Sequence, residues 1–142
     1  QLIAENLRRV SIEVEIRSYE FGTLSRDTRQ GDFDVYSMMW VGLTDPDFYY
    51  SAFHSAKTPP NGENRGHYAN AGLDKLLEES RVESDLEKRK DIYCRIQKTV
   101  YEDFIYVPLW YDDNFVVMNA KISGYDVRPD ASYLNIVNAE KL

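Results

Sequence analysis

The 142-residue chain has little of what most chemistries require: one cysteine, two histidines, and 17 lysines and arginines against 24 aspartates and glutamates. A lone cysteine, Cys94, closes no internal disulfide and leaves the redox compartment open. It falls in a helical pattern with no adjacent histidine or basic activator placed for thiolate chemistry, so it is expected as a small, partly buried filler rather than a nucleophile. His54 and His67 have neither a cysteine partner nor HExxH spacing, and both are read as solvent-facing or loop residues. No GxGxxG or P-loop pattern occurs. The sequence therefore nominates no catalytic residue, no metal ligand and no cofactor.

Positive charge is also scarce. A net charge of −7 opposes the clustered-cation attraction on which general nucleic-acid binding depends, so nucleic acid is not an expected partner. The run Lys88-Arg89-Lys90 is flanked by Glu87 and Asp91 and reads as a solvated helix face of mixed charge. No apolar run approaches the roughly 18 residues that span a bilayer, and no charged-then-apolar leader opens the chain. It opens at Gln1, already in helical periodicity and without an initiator methionine, as expected of a segment of a longer protein.

What is present suits one folded domain: 43% of the residues are hydrophobic, enough for a core at this length. Leu2, Ile3, Leu7 and Val10 share a helical face. The next stretch alternates Ile12, Val14 and Ile16 with Glu13, Glu15 and Arg17, the period of a half-buried strand. FGTLSRDTRQ reads as a helix stopped by Gly31, and DFDVYSMMW as a second strand. This order suggests a βαβ unit with a right-handed crossover.

KTPPNGENRGHYANAG is a long polar loop, a length usually associated with function or with covering another surface. Asn70 is expected to cap a helix through about Arg81 that buries Leu73, Leu76 and Leu77. Ser84 and Glu87 form a capping box for a longer helix whose Leu86, Tyr93, Ile96 and Val100 share a face. The two helices should lie antiparallel. FIYVPLWY and NFVVMNA suggest a hairpin about Asp112-Asp113, with Pro108 confining the first strand to an edge or bulge. The remainder, ISGYDVRPDASYLNIV, is mostly turn chemistry.

The most singular run is WVGLTDPDFYYSAFHS, residues 40–55. Asp45-Pro46 fits an N-cap followed by the first helical residue, and Asp47 would then favour the positive end of the helix dipole. Trp40 ends a predicted strand, where ligand crevices form in α/β sheets, and Gly42 permits close backbone approach. A core or hinge aromatic is the competing reading for Trp40, and Trp110 leans towards the core.

In order, VEIRSYEFGTL, GDFDVYSMMWVG, TDPDFYYSAFHS, NRGHYANAGLDKLLEESR and DLEKRKDIYCRIQKTVYEDFIYVPLWY resemble the C-terminal part of the family 5 extracellular solute-binding proteins. These are the substrate-binding subunits of peptide, nickel and related ABC importers. The resemblance covers nearly the whole chain and implies an α/β fold: residues 1–142 as one C-terminal lobe of a two-lobed, periplasmic-binding-protein-like (type II) protein. A mixed sheet with flanking helices and a C-terminal hairpin would complete that lobe.

The implied function is non-enzymatic capture of a peptide or similar small solute for delivery to a membrane permease. Such a protein would work as a monomer at the periplasmic or extracellular face, with lipid anchorage an open possibility. The implied pocket wall is Trp40, Val41, Gly42, Leu43 and Thr44, with Asp45, Asn64 and Arg65 as further ligand-binding candidates. In peptide binders of this family an aspartate three residues after the tryptophan pairs with the ligand's α-amino group; here that residue is Leu43. A buried ammonium needs a carboxylate or several acceptors, so the ligand classes stay open: a peptide held by other groups, a sugar, or an opine-like or otherwise amphipathic solute. A sensor or regulatory domain that uses this lobe for protein contacts is the alternative from another class.

Overall fold

The computed structural model describes residues 1–110, 113–130 and 132–142. Its elements in order are α1 (Leu2–Arg8), α2 (Phe21–Gln30), α3 (Phe48–Phe53), α4 (Ala71–Val82), α5 (Leu86–Glu102), β1 (Ile122–Ser123) and β2 (Glu140–Lys141). Short 3-10 turns at Ser55–Lys57 and Leu134–Asn138 follow α3 and precede β2. None of the helices found among the described residues is long and apolar enough to cross a membrane.

The core sits where α3 meets the α4–α5 pair. Leu73 and Leu77 recur at helical spacing on α4, Ile92, Tyr93 and Ile96 do so on α5, and Ala52 and Phe53 close the third side. Both long helices are started by side chains: Asn70 Oδ1 accepts from Gly72 and Leu73 N–H, and Asp85 Oδ1 accepts from Glu87 and Lys88 N–H. The expected Ser84–Glu87 box is thus replaced by Asp85, whose charged oxygen sits one residue nearer the orphan amides. Leu86 consequently precedes the buried face and is 75% exposed, and Ile92 takes the place expected of it. The side chain of Asn70, at the start of α4, donates to Asp103, at the end of α5. That contact makes the pair antiparallel.

Gly31 ends α2 in the left-handed region at φ 80°, the conformation for which its lack of a Cβ suits it. The two strands expected on either side of α2 are not formed among the described residues. Residues 12–20 and 32–41 have no ladder partner, and Ile12, Val14 and Ile16 remain exposed. Alternation states which face a strand would bury and is silent about what pairs with it. The expected βαβ unit is accordingly absent as a hydrogen-bonded unit.

The hairpin expected around Asp112-Asp113 meets the same limit. Residues 105–110 and 113–119 carry no strand, and Tyr111 and Asp112 lie outside the described residues. The ladder that does form pairs Ile122 with Lys141 and Ser123 with Glu140, antiparallel; its first strand opens the stretch read as turn chemistry and its second lies just beyond that stretch. Trp110 is 69% exposed rather than in the core, and Cys94 is exposed on α5 rather than partly buried.

Leu77→Ala should cost about 2 to 5 kcal/mol by urea unfolding, because the site is sealed by α5 and cannot collapse. Leu86→Ala, on the same hairpin but exposed, should stay within roughly 0.5 kcal/mol. Equal losses at both positions would contradict this placement of the core.

Candidate functional site

The run from Trp40 to Phe48 forms an open rim ahead of α3. Gly42 turns the chain at φ 71°, where a side chain would be strained. Asp45 Oδ1 then accepts from Asp47 N–H at 2.8 Å, and the Pro46 and Asp47 carbonyls accept from Tyr49 and Tyr50 N–H at 3.1 and 3.0 Å. Asp45 therefore caps a tight turn that leads into α3, and the helix begins two residues beyond the expected start at Pro46. Behind this turn stand two arginines that the sequence reading missed. Arg81 on α4 places Nε 3.0 Å from Asp47 Oδ1, and Arg89 on α5 places Nη2 3.7 Å from Asp45 Oδ1.

Leu43, Thr44 and Asp45, with Pro46 and Phe48, line a shallow cavity of about 260 Å³. Trp40 stands beside it with its ring centroid 5.7 Å from that of Phe48, and it is 41% exposed. Phe48 continues to Tyr49 at 4.3 Å, and Tyr49 to Phe53 at 5.6 Å, so an unbroken series of rings runs from the rim into the core. Val41 lies exposed on the same rim. Six of the eight expected site residues, Trp40 to Asp45, are thus contiguous here. Phe48 could have been suspected as the first aromatic after the Asp-Pro-Asp turn; Arg81 and Arg89 carry no local signal that links them to it.

Asn64 and Arg65 are elsewhere, and both face inward. Asn64 is 2% exposed; its Nδ2 donates to the His54 and Tyr68 carbonyls at 3.2 and 2.8 Å, and its Oδ1 accepts from Tyr68 N–H at 3.0 Å. With both amide hydrogens committed, it clamps the long loop to the end of α3 and to the approach to α4. Arg65, whose side chain is 11% exposed, is held by Glu63 Oε2 through Nε at 3.1 Å and Nη2 at 2.6 Å. Its Nη1 reaches Thr28 Oγ1 at 3.1 Å and Met38 Sδ at 2.7 Å. Glu63 also pairs with Arg29 of α2, and its N–H donates to the Ser51 carbonyl at 2.9 Å.

His54 is buried rather than solvent-facing, whereas His67 is exposed in the loop. His54 Nδ1 accepts from Ala56 N–H at 3.1 Å, and Nε2 lies 3.3 Å from Glu78 Oε1. That pattern assigns the hydrogen to Nε2. Ser55 and Asp74 are adjacent, but the Ser55 hydroxyl donates to Asp74 Oδ2 at 2.5 Å and Ser55 N–H to Oδ1 at 2.9 Å. A nucleophilic triad needs the hydroxyl on the imidazole. Here the aspartate and the histidine each serve as an end-cap for the 3-10 turn. Among the described residues, no group of three or more His, Cys, Asp and Glu side chains converges as a metal site would require.

Two tyrosines at the edge of the core have raised phenols. Burial first, then the neighbouring Tyr36, hold Tyr106 well above its ordinary range. Tyr68 is pushed up to about 12, by burial first and by its hydrogen bond to Asp103 second.

The fold is that of the periplasmic peptide-binding proteins. No family model matches the chain. Its homologues nevertheless include peptide-binding proteins and a nickel-binding protein, NikA of Staphylococcus aureus, all of the family 5 extracellular solute-binding group. Probable di/tripeptide-binding protein 5 of Pseudomonas aeruginosa is 32% identical over 130 residues, covering 91% of this chain and 25% of that protein. Oligopeptide-binding protein AppA of Bacillus subtilis is 31% identical over 137 residues, covering 95% of this chain and 25% of that protein. Its solved structure in complex with a nonapeptide matches with a TM-score of 0.88 over 99% of this chain and 28% of that one. The Helicobacter pylori periplasmic binding protein DppA, solved with the peptide STSA, shares the fold at a TM-score of 0.80 and 24% identity, covering 98% of this chain and 28% of that one. The chain spans about a quarter of the length of the curated relatives it matches.

Asn64→Ala should lower stability by roughly 1 to 3 kcal/mol in thermal or urea unfolding, since it strips partners from buried groups of His54 and Tyr68. A neutral result would mean that the loop is not clamped there. Because the folded-state phenol of Tyr68 is raised, its contribution to stability is fully present below about pH 10, the unfolded value, and is lost as pH climbs through about 12. Tyr68→Phe should therefore flatten the fall in melting temperature between those limits; an unchanged slope would reassign that fall to other groups.

Proposed function

We propose that residues 1–142 are the C-terminal lobe, or much of it, of a two-lobed substrate-binding subunit of an ABC importer. The subunit captures a peptide or similar small solute between its lobes and delivers it to the membrane permease without chemical change. The observation that carries this reading is the likeness, over almost the whole chain, to a neighbour solved with a nonapeptide. The open aromatic rim from Trp40 to Asp45 agrees with it: the rim offers ring and backbone surface and no assembled catalytic group.

Within this reading Trp40, Val41, Gly42, Leu43 and Thr44 form one wall of the pocket, with Asp45 beneath them as the cap of their turn. The Ile12–Ile16 stretch and residues 32–40 are strands completed by the remainder of the protein, which accounts for their open apolar faces. The other lobe supplies the opposite wall, and closure draws its energy from ligand contacts made by both. The protein acts as a monomer at the periplasmic or outer face of the membrane, where its permease partner is reached.

Denaturing extraction of the full-length protein followed by mass spectrometry identifies the solute it carries. Calorimetry with that solute should then give an affinity loss of about 1 to 3 kcal/mol for Trp40→Ala. Unchanged affinity with a lowered melting temperature would make Trp40 a core aromatic. An empty protein would count against the transport reading.

A further inference from the structure

The guanidinium of Arg65 is committed on several sides, and its partners belong to segments far apart in sequence. Glu63 holds Nε and Nη2 from within the same loop. Thr28, buried on α2, receives Nη1 while donating its own hydroxyl hydrogen back to the helix carbonyls of Leu24 and Ser25, at 2.8 and 3.2 Å. The remaining contacts of Arg65 are to the segment that ends in Trp40. Nη1 reaches Met38 Sδ, and the guanidinium carbon lies 5.8 Å from the Tyr36 ring.

That segment has no ladder of its own, since residues 35–41 lack regular secondary structure. A chain without a ladder is placed by its side chains alone. From Tyr36 to Trp40 those contacts include Arg65 on Met38 and Tyr36, Phe33 against Tyr36 at 4.8 Å, Tyr106 beside Tyr36, and Trp40 against Phe48. Arg65 is the charged member of this set and the one tied to α2 and the long loop at once. A lysine could keep the charge beside Glu63 but lacks the planar fork that spans Glu63, Thr28 and Met38 together.

We propose that Arg65 is a positioning residue: held by Glu63, it fixes Met38 and Tyr36 and so sets where the Trp40 ring stands over Phe48. This deepens the reading of Trp40 as pocket wall and rests on it. Arg65 touches no ligand on this account, and its effect on binding passes through Trp40. Glu63 and Arg29 share the work, since they keep the carboxylate aligned with the guanidinium.

The test uses 5-fluorotryptophan incorporated into the full-length protein, with the Trp40 and Trp110 resonances assigned by their loss in Trp40→Phe and Trp110→Phe. The fluorine shift between H2O and D2O reports exposure of each ring. In Arg65→Ala and in Arg65→Lys the solvent shift of Trp40 should rise towards that of Trp110, the more exposed ring, while Trp110 itself stays put. Arg65→Lys retains a charge beside Glu63, so the test survives if the alanine variant fails to fold. An unmoved Trp40 resonance in a folded variant would overturn the proposal, as would an equal movement of every tryptophan, which reports general loosening. The result stands apart from the pocket-wall reading, which fails only if Trp40→Ala leaves solute affinity intact.

Discussion

Everything in the chain hangs from the contact between α3 and the α4–α5 hairpin. Seven side chains are buried there, Phe53, Leu73, Leu77 and Ile96 almost completely, and each removes apolar surface worth roughly 1.5 to 3 kcal/mol for the larger residues. The core is small and lies to one side of the rim. α1 buries nothing, and α2 buries only Thr28, so little apolar packing holds the first thirty residues in place. Their placement falls to polar contacts, which are directional and specify geometry more sharply than they add stability.

Those contacts converge on the long loop. Its backbone lacks a helix or strand to satisfy it, and scattered bonds take over that role: Glu63 and Asn64 N–H donate to the Ser51 and Lys57 carbonyls, and the Asn64 side chain answers the carbonyls of His54 and Tyr68 and the Tyr68 N–H. The same loop carries the Glu63–Arg65 pair that ties α2 to residues 36–38. The rim ahead of α3 is thereby held from two directions. Arg65 acts on the approach to Trp40, while Arg81 and Arg89 pin the Asp45-Pro46-Asp47 turn from the far side. Exposed ion pairs of this kind are worth little singly, about 0 to 1 kcal/mol, and their value here is to orient a turn that backbone hydrogen bonds alone leave loosely aimed.

Local signals were the readable part of the sequence. The Gly31 stop, the Asn70 cap and the leucine stripe of α4 depend on residues within one or two turns of each other, and the structure places them as their chemistry requires. Ser84 was displaced by Asp85 because two adjacent residues could each cap and the charged one accepts more strongly. The strands failed for a different reason: a period of two is a statement about faces, and pairing is a long-range matter that residues 12–16 cannot encode by themselves. Within the site, the rim from Trp40 to Asp45 was legible as a run. The inward roles of Asn64 and Arg65 were not, since a loop without periodicity gives no hint of which side chains turn into the protein.

The rim also constrains what kind of recognition it can supply. Asp45 spends one oxygen on Asp47 N–H and has Arg89 within 3.7 Å, so its charge is partly offset before any ligand arrives. Trp40, Leu43 and Phe48 contribute area rather than charge. On the proposed reading, this wall discriminates by shape and apolar contact, a mode in which one methylene more or less is worth only about 1 to 3 kcal/mol. Sharp selectivity requires buried polar groups that a wrong ligand leaves unpaired, and the two carboxylates of this rim, Asp45 and Asp47, already face Arg89 and Arg81. On that reading a wall of this composition would hold a family of solutes of similar girth, with finer choice among them resting with the opposing lobe.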